Sequence, residues 1–185
     1  MTRPLKIAFI GSHGVGKTTL CYGLAARLKA RDVVLEIVHE VARRCPLPIN
    51  EASNLAAQSW ILHTQIADEL AASARHPVVI CDRSVLDNYV YMLLRAGRQT
   101  GLEALVAWWL TSYDLLVHVP IVQSLQADGL RSTDPAFQRL VDARVLEELS
   151  KRELQCLHLD PAAREQWLDR VEDELDLDTA QLPLL

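Results

Sequence analysis

Residues 5–28, LKIAFIGSHGVGKTTLCYGLAARL, predict a strand, a glycine-rich loop and a helix in that order. Residues 7–10 form a short apolar run that leads directly into the pattern G-x-x-x-x-G-K-[ST], which ends at Thr18. Leucines then recur at every fourth residue from Leu20 to Leu28, as in the apolar stripe of a helix. Because the loop stands between a strand and a helix, the pattern predicts a phosphate-binding loop and not a chance match.

The residue types in this loop suit a nucleoside triphosphate. Backbone N–H groups must curl round an anion, which glycine permits, and the next helix points its N-terminus at the same phosphates. Lys17 would place a positive charge against the β- and γ-phosphates, and the Thr18 hydroxyl would ligate Mg²⁺. The candidate nucleotide-binding residues are Gly11, His13, Gly14, Val15, Gly16, Lys17, Thr18 and Thr19.

Length and composition predict a single domain over residues 1–185. Half of the 185 residues are apolar, which suffices for one core and is rather little for two. The net charge of −5 offers no general attraction for nucleic acid or an anionic membrane. No apolar run approaches the roughly 20 residues that span a bilayer. The four cysteines are widely spaced and indicate neither a zinc site nor a disulfide framework. We therefore expect a cytoplasmic protein without a membrane partner, and the net charge disfavours a nucleic-acid partner, although it leaves room for a local basic groove.

Strand-like and helix-like segments alternate along the rest of the chain. The predicted strands after the first are residues 33–38, 78–81, 114–119 and 154–159. The predicted helices are residues 51–73 with Asn50 as cap, 85–95, 101–112, a helix from Asp134 to Arg152, and a last helix opened by Asp160. Five strands with intervening helices predict an α/β three-layer sandwich around a parallel sheet.

Polar residues follow the second and third predicted strands. Ligands of parallel sheets bind beyond the carboxyl ends of the strands, which places Glu40, and Arg43 shortly after it, at the edge of the phosphate loop. Glu40 is a candidate general base, the alternative being a solvated carboxylate at the start of a surface helix. Asp82 directly after the third strand is a candidate Mg²⁺ ligand, and Arg83 a candidate clamp for the transferring phosphoryl group. The alternative for this pair is an ordinary turn that caps the next helix.

Two further regions predict contacts with substrate. Gln58 and Gln65 lie two turns apart on one face of their predicted helix, where they would contact the polar edge of a substrate or simply face solvent. Residues 121–135 are polar and predict a mobile lid. Arg131 in this lid would stabilise charge on the transferring phosphoryl group when the site closes, the alternative being a solvated loop arginine.

Four motifs in this order resemble the P-loop kinases of small metabolites. They are GSHGVGKTT at residues 11–19, HEVAR at 39–43, CDRSVLDNYVY at 81–91 and DGLRSTDPAFQ at 128–138. The set is most similar to the nicotinamide riboside kinase-like ATPase family and more distantly similar to deoxynucleoside and thymidylate kinases. The resemblance covers residues 6 to 159 and implies a sheet of strand order 2-3-1-4-5. It also implies transfer of the γ-phosphate of ATP to a small acceptor.

The resemblance also implies roles for single residues. In deoxynucleoside kinases a glutamate at the end of the second strand takes the proton of the hydroxyl, which corresponds to Glu40. The Asp-Arg pair corresponds to Asp82 and Arg83, and the lid arginine to Arg131. The chain departs from deoxynucleoside kinases in having Asp at 82 where they carry Glu, and from nucleotide kinases in having one clear lid arginine where they often carry several. Dimers are common among such kinases, which leaves a homodimer open.

The leading hypothesis from sequence is an ATP- and Mg²⁺-dependent kinase acting on the hydroxyl of a nucleoside-like metabolite. The predicted catalytic residues are Lys17, Glu40, Arg83 and Arg131, and the predicted metal ligands are Thr18 and Asp82. The predicted acceptor-binding residues are Glu40, Arg43, Gln58, Gln65 and Arg83. Arg131 is also predicted to contact the nucleotide. The alternatives are a regulatory P-loop ATPase or nucleotide switch, and a kinase of nucleic-acid ends.

Overall fold

A parallel sheet of five strands lies at the centre of the fold. The computed structural model describes residues 3–49, 53–122 and 134–175. The strands are β1 (Leu5–Ile10), β2 (Leu35–Val38), β3 (Val78–Asp82), β4 (Leu115–His118) and β5 (Leu157–His158). The helices are α1 (Lys17–Lys29), α2 (Leu55–Ser73), α3 (Val85–Ala96), α4 (Thr100–Leu110), α5 (Pro135–Lys151) and α6 (Trp167–Leu175). Short 3₁₀ helices, Val41–Arg44 and Pro161–Gln166, precede α2 and α6.

The strand order is β2-β3-β1-β4-β5, with every pair parallel. β1 therefore lies in the middle and is flanked by β3, which ends in Asp82, and by β4. This order and the helices on both faces confirm the predicted fold class.

Alternate residues of β1 pack into two separate hydrophobic cores, one on each face of the sheet. Ile7 and Phe9 pack in the core beneath α1 and α6, whereas Ala8 and Ile10 pack in the core beneath the other helices. All four residues are fully buried. A strand covered on both faces needs apolar residues at every position, which explains why this segment shows no alternation with polar residues. Each buried Ile or Phe contributes about 1.5–3 kcal/mol to folding.

Several element boundaries differ from the sequence predictions. α2 begins at Leu55 because the Asn54 side chain caps it, accepting a hydrogen bond from the Ala57 N–H at 3.0 Å. The cap predicted at Asn50 lies outside the described residues. β5 is only two residues long, and β2 begins two residues later than expected. Asp160 does cap a helix, but it is a 3₁₀ helix, and α6 begins only at Trp167.

The carboxyl ends of the central strands fall level with one another. Phe9 pairs with Asp82 across β1 and β3, and Ile10 pairs with His118 across β1 and β4. The loops that follow these strands therefore meet at one edge of the sheet, where the phosphate loop also begins. Within the described ranges, no helix is both long and apolar enough to cross a membrane.

Candidate active site

The phosphate loop begins at a residue that only glycine fits. Gly11 has φ +127°, and a Cβ atom there would stand 2.8 Å from the carbonyl oxygen of Val119. At the other end of the loop, Gly16 is the N-cap of α1 with φ +97°. Since glycine has no side chain to cap the helix, the N–H groups of the first turn stay available for an anion. The loop thus has the backbone shape of a phosphate cradle.

Lys17 lies folded against this loop. Its Nζ donates to the carbonyl oxygens of Gly11 at 2.9 Å and of Ser12 at 2.5 Å, and the residue is 5% exposed. Burial, followed by repulsion from the Arg83 guanidinium, lowers the pKa of Lys17 to about 8. A bound triphosphate would add negative charge beside this ammonium and so favour its protonated form.

This lowered pKa predicts how nucleotide affinity changes with pH. A nucleotide favours the protonated lysine, so binding above pH 8 must take up a proton. We therefore expect affinity for a Mg²⁺–ATP analogue to fall by roughly 10-fold between pH 7 and pH 9, since one pKa unit corresponds to 1.36 kcal/mol. Isothermal titration calorimetry in buffers of different ionisation enthalpy measures both the affinity and the proton uptake. Lys17→Met should bind the analogue weakly and with no such pH dependence. If its affinity fell with pH as steeply as that of the wild type, Lys17 would not be the group that takes up the proton.

Thr18 and Asp82 form the oxygen pair predicted to hold a metal. The Thr18 hydroxyl donates to Asp82 Oδ2 at 2.5 Å, and Asp82 is 2% exposed at the end of β3. In the described part of the chain, no group of three or more His, Cys, Asp or Glu side chains is arranged to hold a metal. One hydroxyl and one carboxylate suit Mg²⁺, which keeps several waters and takes its other ligands from substrate phosphates.

Arg83 has a strained backbone and a guanidinium that is only partly satisfied. Its φ of +94° is unusual for a residue with a side chain, and the residue is 4% exposed. Nε donates to Glu40 Oε1 at 2.8 Å, and the guanidinium lies 5.2 Å from the centre of the Tyr91 ring. Nη1 is buried without a hydrogen-bond partner among the described residues. Burial opposes the charge most strongly, but Glu40 together with Tyr91, Asp87 and Asp82 outweighs it, so the pKa of Arg83 is raised and the group stays cationic.

Glu40 lies between two arginines at the end of β2. Its Oε1 accepts the bond from Arg83, and its Oε2 accepts one from Arg43 Nε at 3.0 Å. Glu40 is 6% exposed, whereas the Arg43 side chain is 43% exposed. The structure therefore brings Glu40 and Arg83, which the sequence predicts to lie at one edge, into direct contact.

The two glutamines of α2 are buried and engaged within the protein. Gln58 is 5% exposed and donates to the Ser53 hydroxyl at 2.6 Å. Gln65 is fully buried, and its amide nitrogen donates to Glu69 at 2.8 Å and to the Arg83 carbonyl at 3.3 Å. Neither residue simply faces solvent, and their predicted role in acceptor binding stays a prediction.

Helix α5 contacts the phosphate loop directly. The Gln138 side chain donates to the His13 carbonyl at 2.8 Å, and His13 Nδ1 lies 3.0 Å from the Tyr91 hydroxyl. Beside Gly11, Asp142 lies 3.0 Å from His118 Nε2. Most of the predicted lid at residues 121–135 lies outside the described residues. Arg131 is among the residues that are not described.

Sequence reasoning missed two residues on α3. Asp87 is fully buried and accepts hydrogen bonds from the Gly11 amide at 2.9 Å and the Ser84 amide at 2.8 Å. Asn88 is 3% exposed, and its Nδ2 has no partner within the described ranges. The spacing Ser84-x-x-Asp87 is a capping-box pattern and could have indicated the bond within the turn. Nothing in the sequence indicates the bond to Gly11, 76 residues away.

Comparison with known proteins agrees with this architecture. A family model described as AAA domain matches residues 6–167. Thymidylate kinase of Psychrobacter sp. (strain PRwf-1) is 29% identical over 159 aligned residues, covering 72% of this chain and 74% of that protein. Deoxyadenosine kinase from M. mycoides with bound dATP has a TM-score of 0.65 at 18% identity, covering 93% of this chain and 99% of that one. Thymidylate kinase from Candida albicans has a TM-score of 0.67 at 15% identity, covering 96% and 93%.

These comparisons confirm the resemblance to P-loop nucleoside and nucleotide kinases. The two solved structures share the fold over nearly the whole chain. The family model extends from β1 to the start of α6 and so includes the phosphate loop, the Glu40–Arg83 pair and α3. The chain therefore belongs to the P-loop protein family that this AAA domain model describes.

Proposed function

We propose that the protein is an ATP- and Mg²⁺-dependent kinase that phosphorylates a hydroxyl group of a nucleoside-like metabolite. The observation that carries this proposal is the guanidinium of Arg83. It is buried and held by Glu40 through Nε, and its Nη1 has no partner in the part of the chain that the structure describes. An unsatisfied buried donor costs free energy, and an anionic ligand at this edge would remove that cost. The names of the thymidylate and deoxyadenosine kinases above support phosphoryl transfer to a nucleoside or nucleotide, and the second of them supports a nucleoside acceptor.

The donor half of the site would bind ATP through the loop and the lysine. The candidate nucleotide-binding residues of the loop surround the triphosphate with backbone N–H groups, and Lys17 turns from the loop carbonyls to the phosphates. Mg²⁺, held through Thr18 and Asp82, would neutralise charge on the phosphates. Arg131 completes this half in the proposal, although its position lies outside the described residues.

The acceptor half would use Glu40 as the proton acceptor. The acceptor oxygen forms a bond to the γ-phosphorus, the bond from that phosphorus to the bridging oxygen of ADP breaks, and the hydroxyl proton passes to a Glu40 oxygen. Arg83 and Arg43 fix the carboxylate from two sides and so hold it in one orientation. The products are ADP and the phosphorylated acceptor.

The aromatic side chains beside Arg83 suit a flat polar ring. Tyr91 contacts the Phe137 ring edge to face at a centroid distance of 6.2 Å, and Phe137 also contacts His13. Asn88, one turn before Tyr91 on α3, has a buried amide nitrogen without a partner within the described ranges. Aromatic surfaces beside an unsatisfied amide suit a heterocyclic base. These contacts support an acceptor of the nucleoside type.

A phosphate acceptor is the second candidate, and the name of the thymidylate kinase relative favours it. The charge arrangement favours the hydroxyl. Glu40 is a buried carboxylate that already pairs with Arg83 and Arg43, so an acceptor phosphate would have to approach like charge and compete for both arginines. A neutral hydroxyl instead gains a hydrogen bond to that carboxylate.

A panel of acceptors tests the proposal. Thymidine, deoxyadenosine, nicotinamide riboside and thymidylate are each incubated with ATP and Mg²⁺, and the ADP released is measured against a sample without acceptor. We expect release that depends on one of the three nucleosides. Turnover of thymidylate alone would support the phosphate acceptor. Release that no acceptor changes would support a regulatory ATPase and contradict the kinase.

A further inference from the structure

One carboxylate joins the two halves of the site. Asp87 Oδ1 accepts the N–H of Gly11, the first residue of the phosphate loop, at 2.9 Å. Its Oδ2 accepts the N–H of Ser84 at 2.8 Å and the Ser84 hydroxyl at 3.0 Å. Asp87 is fully buried. Both oxygens are therefore engaged by N–H donors from opposite sides of the site, one from the donor loop and one from the turn that carries Arg83.

The turn that Asp87 holds is the strained one. Arg83 has φ +94°, and its own amide donates to the Phe9 carbonyl at 3.2 Å. On its other side, Gln65 donates to the Arg83 carbonyl at 3.3 Å, and Asp87 fixes the next amide along. A strained backbone persists only where its surroundings hold it, so these contacts decide where the guanidinium points.

Resting on the kinase function proposed above, we infer that Asp87 is a positioning residue that couples nucleotide binding at the phosphate loop to acceptor binding at Arg83. A shift of Gly11 when phosphate enters the loop pulls on Oδ1, and the rigid carboxylate passes this shift to Ser84 and Arg83. An asparagine cannot substitute, because its amide nitrogen is a donor and would face the N–H of Gly11 or of Ser84. Asp87 touches neither substrate in this scheme.

The test measures this coupling with Asp87→Asn. Acceptor affinity is measured by calorimetry with the acceptor that the wild type turns over fastest in the panel above, with and without saturating Mg²⁺–AMP-PNP. We expect the analogue to tighten acceptor binding to the wild type by about 5-fold or more, which is the lower end of usual coupling between sites. In D87N we expect that factor to fall to about 1, together with roughly 10-fold weaker AMP-PNP binding, the size of one lost charge-assisted hydrogen bond.

Asp114→Asn is the matched control. Asp114 is also a carboxylate that accepts a backbone N–H, that of Lys6 at 2.7 Å near the start of β1, whereas Asp87 binds the N–H of Gly11 just beyond the other end of that strand. We expect D114N to lower thermal stability and leave the coupling factor unchanged. Ser84→Ala removes the hydroxyl contact with Asp87 and the cap bond from the Leu86 N–H at 3.0 Å. It keeps the bond from the Ser84 N–H to Asp87, so it should show an intermediate coupling factor.

The outcomes separate this inference from the kinase proposal. If the wild type phosphorylates none of the acceptors, the kinase proposal fails, and AMP-PNP affinity still tests the link to Gly11. D87N that binds AMP-PNP as tightly as the wild type overturns that link. The coupling role is overturned if D87N folds and its affinities fall while the coupling factor stays at the wild-type value. It is also overturned if S84A and D114N change the coupling factor by the same amount.

Discussion

Glu40→Gln should abolish phosphoryl transfer while leaving ATP affinity nearly intact. The carboxylate lies just beyond the end of β2 with its oxygens on Arg83 and Arg43, and it is not one of the candidate nucleotide-binding residues. A glutamine cannot accept the hydroxyl proton, and its amide nitrogen would face an arginine donor. Loss of a general base typically lowers kcat by about 10²–10⁴-fold. The measurement is steady-state ADP release with the best acceptor of the panel, beside calorimetric binding of Mg²⁺–AMP-PNP.

Glu36→Gln is the control for this substitution. Glu36 lies on β2, the strand that precedes Glu40; its side chain is 48% exposed, and its Oε2 lies 3.7 Å from His76 Nε2. The E36Q variant loses the same charge outside the site and should keep its full rate. A rate in E40Q equal to that of E36Q would remove Glu40 from the catalytic role. A parallel loss of AMP-PNP affinity in E40Q would instead show that Glu40 acts on the nucleotide.

The parts of the site that could be predicted are those whose chemistry is local in sequence. The residues of the phosphate loop stand at fixed intervals between Gly11 and Thr18, and the strand and the helix on either side directly adjoin the loop in sequence. Asp82 and Arg83 could be placed because they directly follow an apolar strand, and parallel strands end at a common edge. The order of the strands came from the resemblance, since local patterns do not tell which strands are neighbours.

The contacts that could not be predicted join residues far apart in sequence. Lys6 and Glu69 are 63 residues apart, and each stands in a segment whose other residues are mostly apolar. Charged residues in such segments usually point to solvent, so the pattern gives no reason to expect a buried pair. The boundary of α2 is a different case. Residues 50–54, NEASN, offer two asparagines as caps, and local propensity does not distinguish them.

The buried carboxylate of Glu69 has the largest predicted effect on stability. Its Oε2 accepts from Lys6 Nζ at 3.1 Å and Trp109 Nε1 at 2.7 Å, and its Oε1 accepts from the Tyr113 hydroxyl at 2.7 Å and Gln65 at 2.8 Å. Glu69 is fully buried and Lys6 is 4% exposed. Four donors therefore converge on one carboxylate, and a side chain without two acceptor oxygens would leave some of these donors buried without a partner.

Glu69→Gln should cost about 3–5 kcal/mol of unfolding free energy, because it leaves the Lys6 ammonium buried without its counter-charge. For a chain of this size that corresponds to a fall in melting temperature of roughly 6–20 °C. Urea unfolding followed by circular dichroism measures the free energy directly. Glu174→Gln, which breaks the exposed pair of Glu174 with Arg170, is the control and should change it by about 0.5 kcal/mol or less.

The same substitution should also weaken the acceptor site, because Glu69 orients the Gln65 amide that holds the Arg83 carbonyl. Lys6→Met separates the two effects. It leaves the carboxylate with its three other donors, so Gln65 keeps its orientation while the ion pair is lost. We expect K6M to be destabilised with little change in acceptor KM, and E69Q to be destabilised with a raised acceptor KM. An unchanged KM in a folded E69Q would show that Arg83 keeps its strained backbone without the Gln65 contact, and that the buried pair contributes only to folding.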